Sequence, residues 1–228
     1  AVLSVSPCVA AAVPADAEAH YERGLAFFAR SEYARAVEEF TQALALDPRH
    51  VRALHARGAA YSLQGQYDLA LADFTRAVEL DADFATPYFS RGLINILKKQ
   101  YEAAKADLDR YADLRPGDIS VFFPRGWVNS RLGQNGQAII DFTKYLTYNP
   151  RDAKAYNERG LCYDRTGKDD LAFADFGRAI AADRRYAEGY FGKAKLLENL
   201  GKVKEAIDTY RAFIANARAS AASVFWAD

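Results

Sequence analysis

Methionine is absent from this chain of 228 residues, cysteine occurs twice and histidine three times. The thiols, Cys8 and Cys162, form no CxxC pair, and three scattered histidines complete no ligand set, so no metal centre is expected. Without methionine there is also no initiator residue, and the sequence is expected to begin after processing or truncation. Net charge is missing too: 30 basic residues balance 30 acidic ones and no basic run stands out, which argues against a nucleic-acid partner. No apolar stretch reaches the roughly 18 residues of a membrane-spanning helix. The glycines are dispersed rather than gathered in a phosphate-cradling loop, so no cofactor is expected. Ser130 and Asp164 are not joined by a base and an orienting group, so no catalytic set emerges and the chain is read as a non-enzyme.

What the chain does have is a period. From Ala17 to residue 220, six segments of 34 residues follow one another without a gap: 17–50, 51–84, 85–118, 119–152, 153–186 and 187–220. Place 8 of each reads Gly24, Gly58, Gly92, Gly126, Gly160, Ala194. Place 20 is Ala throughout (Ala36, Ala70, Ala104, Ala138, Ala172, Ala206), and place 24 reads Phe40, Phe74, Leu108, Phe142, Phe176, Tyr210. A fixed period of this length signals stacked units, each burying its apolar face against its neighbours. Apolar residues at helical spacing fall into two runs per unit, separated by Gly65, Gly133, Gly167 or Gly201; Pro48, Pro116 and Pro150 punctuate the outer turns. Each unit is thus expected to be a hairpin of two helices, A and B. Glycine inside a helix costs about 1 kcal/mol relative to alanine, so its recurrence at place 8 implies close helix approach, with the aromatic of place 24 beside it.

Two further rows follow from the spacing. Place 7 reads Arg23, Arg57, Arg91, Arg125, Arg159, Lys193, and place 23 reads Glu39, Asp73, Asp107, Asp141, Asp175, Thr209, which predicts a ladder of exposed ion pairs that lapses in the last unit. Such exposed pairs are worth about 0–1 kcal/mol each and would mainly set register. Places 11 and 27 trade size: Phe27, Tyr61 and Tyr163 accompany Ala43, Ala77 and Ala179, whereas Asn95 and Asn129 accompany Tyr111 and Tyr145. Polar partners are expected for those two tyrosine hydroxyls, the asparagines among the candidates.

These residues resemble the tetratricopeptide repeat: aromatic at place 4, Gly at 8, aromatic at 11, Ala at 20, Phe at 24, Ala at 27, Pro at 32. The resemblance covers residues 17–220 and implies an all-α, right-handed superhelical solenoid of six antiparallel helix-turn-helix repeats. It departs from the family at place 7, usually Leu, and at place 32, which is Ala82, Arg184 and Arg218 in three copies. The resemblance also implies that helix A lines a groove through places 2, 5, 9, 12 and 13. Carried over, these give Tyr21, His55, Phe89, Leu93, Ile96, Leu97, Phe123, Trp127, Lys154, Asn157, Leu161, Arg165 and Phe191 as the expected groove, with Asp164, Glu188, Glu198 and Asn199 on a polar rim. An exposed apolar patch of that size marks an interaction site. The expected partner is therefore a protein or peptide, bound mainly through Phe89, Leu93, Phe123 and Trp127. The clamp by which relatives grip chaperone tails needs Lys, Asn, Asn, Lys and Arg at set places, and no run of three repeats supplies them.

The alternative is a structural protein that self-associates through its groove or its apolar ends, Ala1–Leu3 and Ser223–Trp226. Residues 1–16 form an apolar arm in which Ala15-Asp16-Ala17 fits a signal-cleavage site; an exported protein and an ordinary N-terminal arm both remain open, and the compartment is not assigned. Residues 221–228 are read as an apolar tail, Pro124 as a kink in helix A of the fourth unit, Cys162 as a buried free thiol with pairing to Cys8 left open, and His20 as a packed core residue.

Overall fold

The computed structural model describes residues 15–225, with side chains over 15–216. Among the described residues the secondary structure is entirely helical. The helices are α1 (Ala15–Ala29), α2 (Tyr33–Leu46), α3 (Val51–Leu63), α4 (Tyr67–Leu80), α5 (Ala85–Leu97), α6 (Tyr101–Leu114), α7 (Phe122–Arg131), α8 (Asn135–Tyr148), α9 (Ala153–Arg165), α10 (Asp169–Ala182), α11 (Ala187–Asn199) and α12 (Val203–Phe225). Odd-numbered helices are the A helices, even-numbered the B helices, and the fold class is all-α as expected. The chain divides between Ile94 and Asn95, within α5, into two compact units. In each unit the helices pack chiefly on their sequence neighbours.

The inner turns share one backbone feature. Place 15 is left-handed throughout: Gly65, Gly133, Gly167 and Gly201 at φ of 74°, 74°, 68° and 73°, and Ser31 and Lys99 at 61° and 59°. Glycine accepts that conformation without a Cβ clash; serine and lysine adopt it here under the pull of the hairpin. The hairpin's close approach is as steric as the sequence implied. A Cβ on Gly24 would stand 2.5 Å from the ring of Phe40, on Gly58 2.7 Å from Phe74 and on Gly160 2.9 Å from Phe176. Phe40, Phe74, Phe142 and Phe176 are at most 1% exposed and centre the first, second, fourth and fifth hairpins, with fully buried Leu108 in the third.

The Arg–carboxylate ladder is present but not exposed. Asp73, Asp107, Asp141 and Asp175 are all buried, the last two completely. Arg57 Nη2, Arg125 Nη2 and Arg159 Nε donate to Asp73, Asp141 and Asp175 over 2.8, 2.7 and 2.6 Å, and only the Arg23–Glu39 pair, at 3.0 Å, is half open to solvent. Each of these arginines beyond the first also reaches back to the preceding B helix: Arg57 to Thr41, Arg91 to Thr75, Arg125 to Asp109, Arg159 to Thr143. One guanidinium therefore ties two successive B helices together, which a two-residue pair could not do.

The tyrosine partners also differ from expectation. Tyr111 donates to Asp118 and Tyr145 to Asp152 over 2.9 Å. Asp118 and Asp152 are place 34, the caps of the following turn: Asp118 accepts from Ser120 N–H and Asp152 from Ala155 N–H. Asn95 and Asn129 instead donate to Asp107 and Asp141. In the first two repeats, where place 27 is Ala, place 34 carries a ring that takes the tyrosine's position against place 5. His50 lies 5.0 Å from Tyr21 and Phe84 5.6 Å from His55, as Tyr145 lies 5.2 Å from Phe123.

Three smaller expectations change. A 3-10 turn over Ile119–Val121 precedes α7, so Pro124 falls in the first turn of the helix, where its missing N–H costs nothing, rather than at a kink. His20 belongs to a polar cluster with Glu39, at 2.7 Å, and Arg23, not to the core. Helix α12 runs unbroken to Phe225, into the expected tail. Cys162 is a buried free thiol, and burial pushes its pKa up. Cys8, the rest of the arm to residue 14 and Trp226 lie outside the described residues.

Candidate functional site

Within the second unit, helices α7, α9 and α11 together wall a concavity of about 550 Å³. Successive A helices offer the same turns to one side, so places 2, 5, 6 and 9 of consecutive units converge there. Of the residues expected in the groove, Trp127, Lys154, Asn157, Leu161 and Phe191 line it. Phe191 is half exposed, and its ring meets Tyr210 and Phe213 from below. Trp127 carries the Arg131 guanidinium 4.6 Å from its ring centroid on one side and packs edge-on to Tyr101 on the other.

The remaining expected residues sit elsewhere. Phe123 packs edge-on against Phe142 at 5.7 Å and under the Lys154 ammonium, so it supports the wall rather than forming it. Arg165 donates to Ser130 over 2.8 Å. Ile96 is part-buried and Leu97 is 62% exposed. In the first unit, Tyr21 is buried between Phe40 and His50 and offers little surface. His55 is held by Ser90 at 3.3 Å and by the rings of Phe74 and Phe84; burial lowers its pKa to about 4. Phe89 is part-buried and Leu93 is exposed.

The concavity also has walls outside the expected groove residues: Arg131, Glu158, Tyr186, Gly192 and Lys195, with Glu188 from the expected rim. Lys195 and Arg131 stand at family groove places, 9 and 13, and fall under the same rule. Tyr186 stands at place 34, outside that rule; burial, with Glu188 next, pushes its hydroxyl up to about 12. Asn157 and Glu158 are the unusual members. They are 3% and 7% exposed, and Asn157 Oδ1 and Glu158 Oε2 have no hydrogen-bond partner among the described residues. Burial raises the Glu158 pKa, with Arg131, Lys154 and Arg165 pulling the other way and Glu188 reinforcing it. A buried polar atom without a partner costs about 1–3 kcal/mol, and Thr86, Asn129 and Asn135 carry such atoms as well.

Among the described residues no group of three His, Cys, Asp or Glu is placed to hold a metal ion, and no helix is long and apolar enough to cross a membrane. The geometry is that of a binding scaffold: consecutive helical hairpins presenting an aromatic and polar concavity. Tetratricopeptide repeat profiles match residues 24–65, 51–84, 85–118, 124–183 and 170–221, and the chain belongs to that family. No curated protein matches the sequence. Solved structures with the same fold include YrrB, described as a tetratricopeptide repeat protein with an unusual peptide-binding site, at 22% identity over 79% of this chain and 93% of that one, with a TM-score of 0.72. MamA is similar at 24% identity over 76% and 94% (TM-score 0.67), and MamA from Desulfovibrio magneticus at 17% over 74% and 96% (TM-score 0.70). At these identities the likeness speaks for the fold.

Proposed function

We propose that this chain is a non-enzymatic interaction module that docks a peptide segment of a partner protein in the α7–α9–α11 concavity. The observation that carries the reading is the half-exposed Phe191 facing Trp127 and Tyr186 across a wall that also holds two buried, unpartnered acceptors. Aromatic anchors ringed by polar groups are the usual energetic centre of a protein interface. The peptide-binding site described for YrrB supports the same use of the fold. The test is titration calorimetry with a peptide selected on the full chain. Trp127→Ala with Phe191→Ala should cost at least about tenfold in affinity with helicity by circular dichroism unchanged. Unchanged affinity on an intact fold sinks the reading. Phe123 is a poor probe, because its truncation would open the core beside Phe142.

A second reading, self-association, has one observation of its own. Val203, Ile207 and Ile214 line one face of α12 and are 57, 44 and 47% exposed, while Leu44 and Leu146, at the place equivalent to Ile214, are 8 and 6% exposed. Light-scattering mass across a concentration series checks it: mass that rises for the chain and not for Ile207→Lys with Ile214→Lys supports assembly through α12, and a constant mass removes it.

A further inference from the structure

Helices α9 and α11 each pack on two B helices, that of their own unit and the one before it. The contact with the preceding B helix is specific by place. A Cβ on Gly189, place 3, would stand 3.2 Å from Ala179 Cβ and 3.3 Å from Ile180 Cγ1, places 27 and 28 of the preceding unit. A Cβ on Gly192, place 6, would stand 2.5 Å from the ring of Phe176, place 24. Leu196, place 10, packs on Ala172 and Phe176, places 20 and 24, as Cys162 packs on Ala138 and Phe142. Places 3 and 10 are accordingly buried: Ala53 and Ala60, Ala155 and Cys162, Gly189 and Leu196.

Both halves of this contact stand open among the described residues. On α1, places 3, 6 and 10 are Ala19, Glu22 and Ala26, and all three are exposed. On α12, Tyr210 at place 24 is part-buried, where the four phenylalanines of that place are at most 1% exposed. Ile214 at place 28 is 47% exposed, against 8 and 6% for Leu44 and Leu146. The α12 face matches an A helix with small residues at places 3 and 10, and α1 is such a helix.

The charges fit the same alignment. In the chain place 7 reaches back to place 25, as Arg57 does to Thr41 and Arg159 to Thr143. The last unit carries Arg211 at place 25, held by Asp208 at 3.3 Å. Against it α1 brings Arg23, paired with Glu39 at 3.0 Å, and beside it the exposed Glu22. Carboxylates and guanidiniums then alternate, and Tyr210, where other units carry Phe or Leu, adds a hydroxyl next to Glu22. An antiparallel pair of α12 helices centred between Ile207 and Ile214 would instead set Arg211 against its own copy, like charge against like.

Resting on the self-association reading, we propose that the occupant of the α12 face is α1 of a second copy. Ala19 seats on Ile214 and Ala26 on Tyr210, Glu22 meets Arg211, and the hairpin stack continues from one molecule into the next. The contact is heterologous, each copy contributing a different surface.

Such a contact has a signature in mixtures. Light-scattering mass is followed for the full chain, for an α1-face variant (Ala19→Arg with Ala26→Arg), for an α12-face variant (Ile207→Lys with Ile214→Lys) and for the two variants mixed in equal amounts. The four sites are exposed, and circular dichroism checks that helicity is kept. The full chain should gain mass with concentration. Each variant alone should stay at the single-chain mass, and the mixture should reach twice that mass, because one unaltered α1 then meets one unaltered α12. Glu22→Lys in the full chain should weaken association at least about fivefold at low salt. If the α1-face variant gains mass like the full chain, or the mixture stays at the single-chain mass, the inference falls and assembly through α12 stands. Undiminished association of Glu22→Lys overturns the charge match. A constant mass for the full chain removes the self-association reading and this inference together.

Discussion

At the residue scale, the decisive quantity is burial of charge. Asp141 is fully buried, accepts two hydrogen bonds from Arg125 and a third from Asn129, and sits beside Gly126. Taking away Asp141 leaves the Asn129 amide without an acceptor and the Arg125 guanidinium with only its longer contact to Asp109, at 3.4 Å, in a desolvated site. Asp141→Ala is therefore expected to cost about 3–5 kcal/mol in urea denaturation. Glu39→Ala, which breaks the half-exposed Arg23 pair and the His20 contact, should cost about 0–1 kcal/mol. Equal losses would show that burial does not rank these pairs. His55 supplies a pH signature. Its folded pKa lies near 4, below the ordinary 6.5, so the unfolded state takes the proton first. The neutral imidazole's contribution is whole above pH 6.5 and is lost as pH falls toward 4, up to about 3 kcal/mol in total. The slope of unfolding free energy between pH 6.5 and 5, above most carboxylate titrations, should flatten in His55→Gln; an unchanged slope assigns it to other groups.

At the scale of the element, two opposite rules govern helix and turn. Gly58→Ala should destabilise by about 1–3 kcal/mol, since its Cβ would stand 2.7 Å from Phe74, although alanine is the better helix former by about 1 kcal/mol. Lys99→Gly, at φ 59° in the α5–α6 turn, should stabilise by about 1 kcal/mol by relieving left-handed strain. Thermal melts that move both variants the same way would refute the pairing. These elements were the legible part of the sequence, because the period repeats each steric demand: Gly against Phe, glycine in the turn, Ala at place 20. The turns at Ser31 and Lys99 were less legible, for those residues announce no left-handed backbone. Burial of Asp73, Asp141 and Asp175 was misread as surface because a charge row looks alike in both settings. The Tyr111 and Tyr145 partners were missed because Asp118 and Asp152 belong to the following turn. The concavity was half legible: place rules found Trp127, Lys154, Asn157, Leu161 and Phe191, but Tyr186 and buried Glu158 emerge only when three consecutive A helices are laid side by side.

At the scale of the whole molecule, stability is spread along the chain and not gathered in one core. Four hairpins are centred on their own phenylalanine and the third on Leu108, and the links between successive hairpins are local: Arg57 to Thr41, Arg125 to Asp109, Arg159 to Thr143. A stack joined only by neighbour contacts behaves as a line of coupled segments, so a lesion opens its own segment first. Gly58→Ala is the test. Its damage lies between α3 and α4, and native-state hydrogen exchange should quicken at the amides of Val51–Leu63 and Tyr67–Leu80 while those of Asn135–Tyr148 and Asp169–Ala182 keep their protection. Equal acceleration in all four helices would mean that the chain opens as one cooperative body. In the segmental case the peptide docking proposed for the α7–α9–α11 concavity is expected to persist in Gly58→Ala even as the first unit loosens, which separates loss of docking from loss of fold when the docking variants themselves are measured.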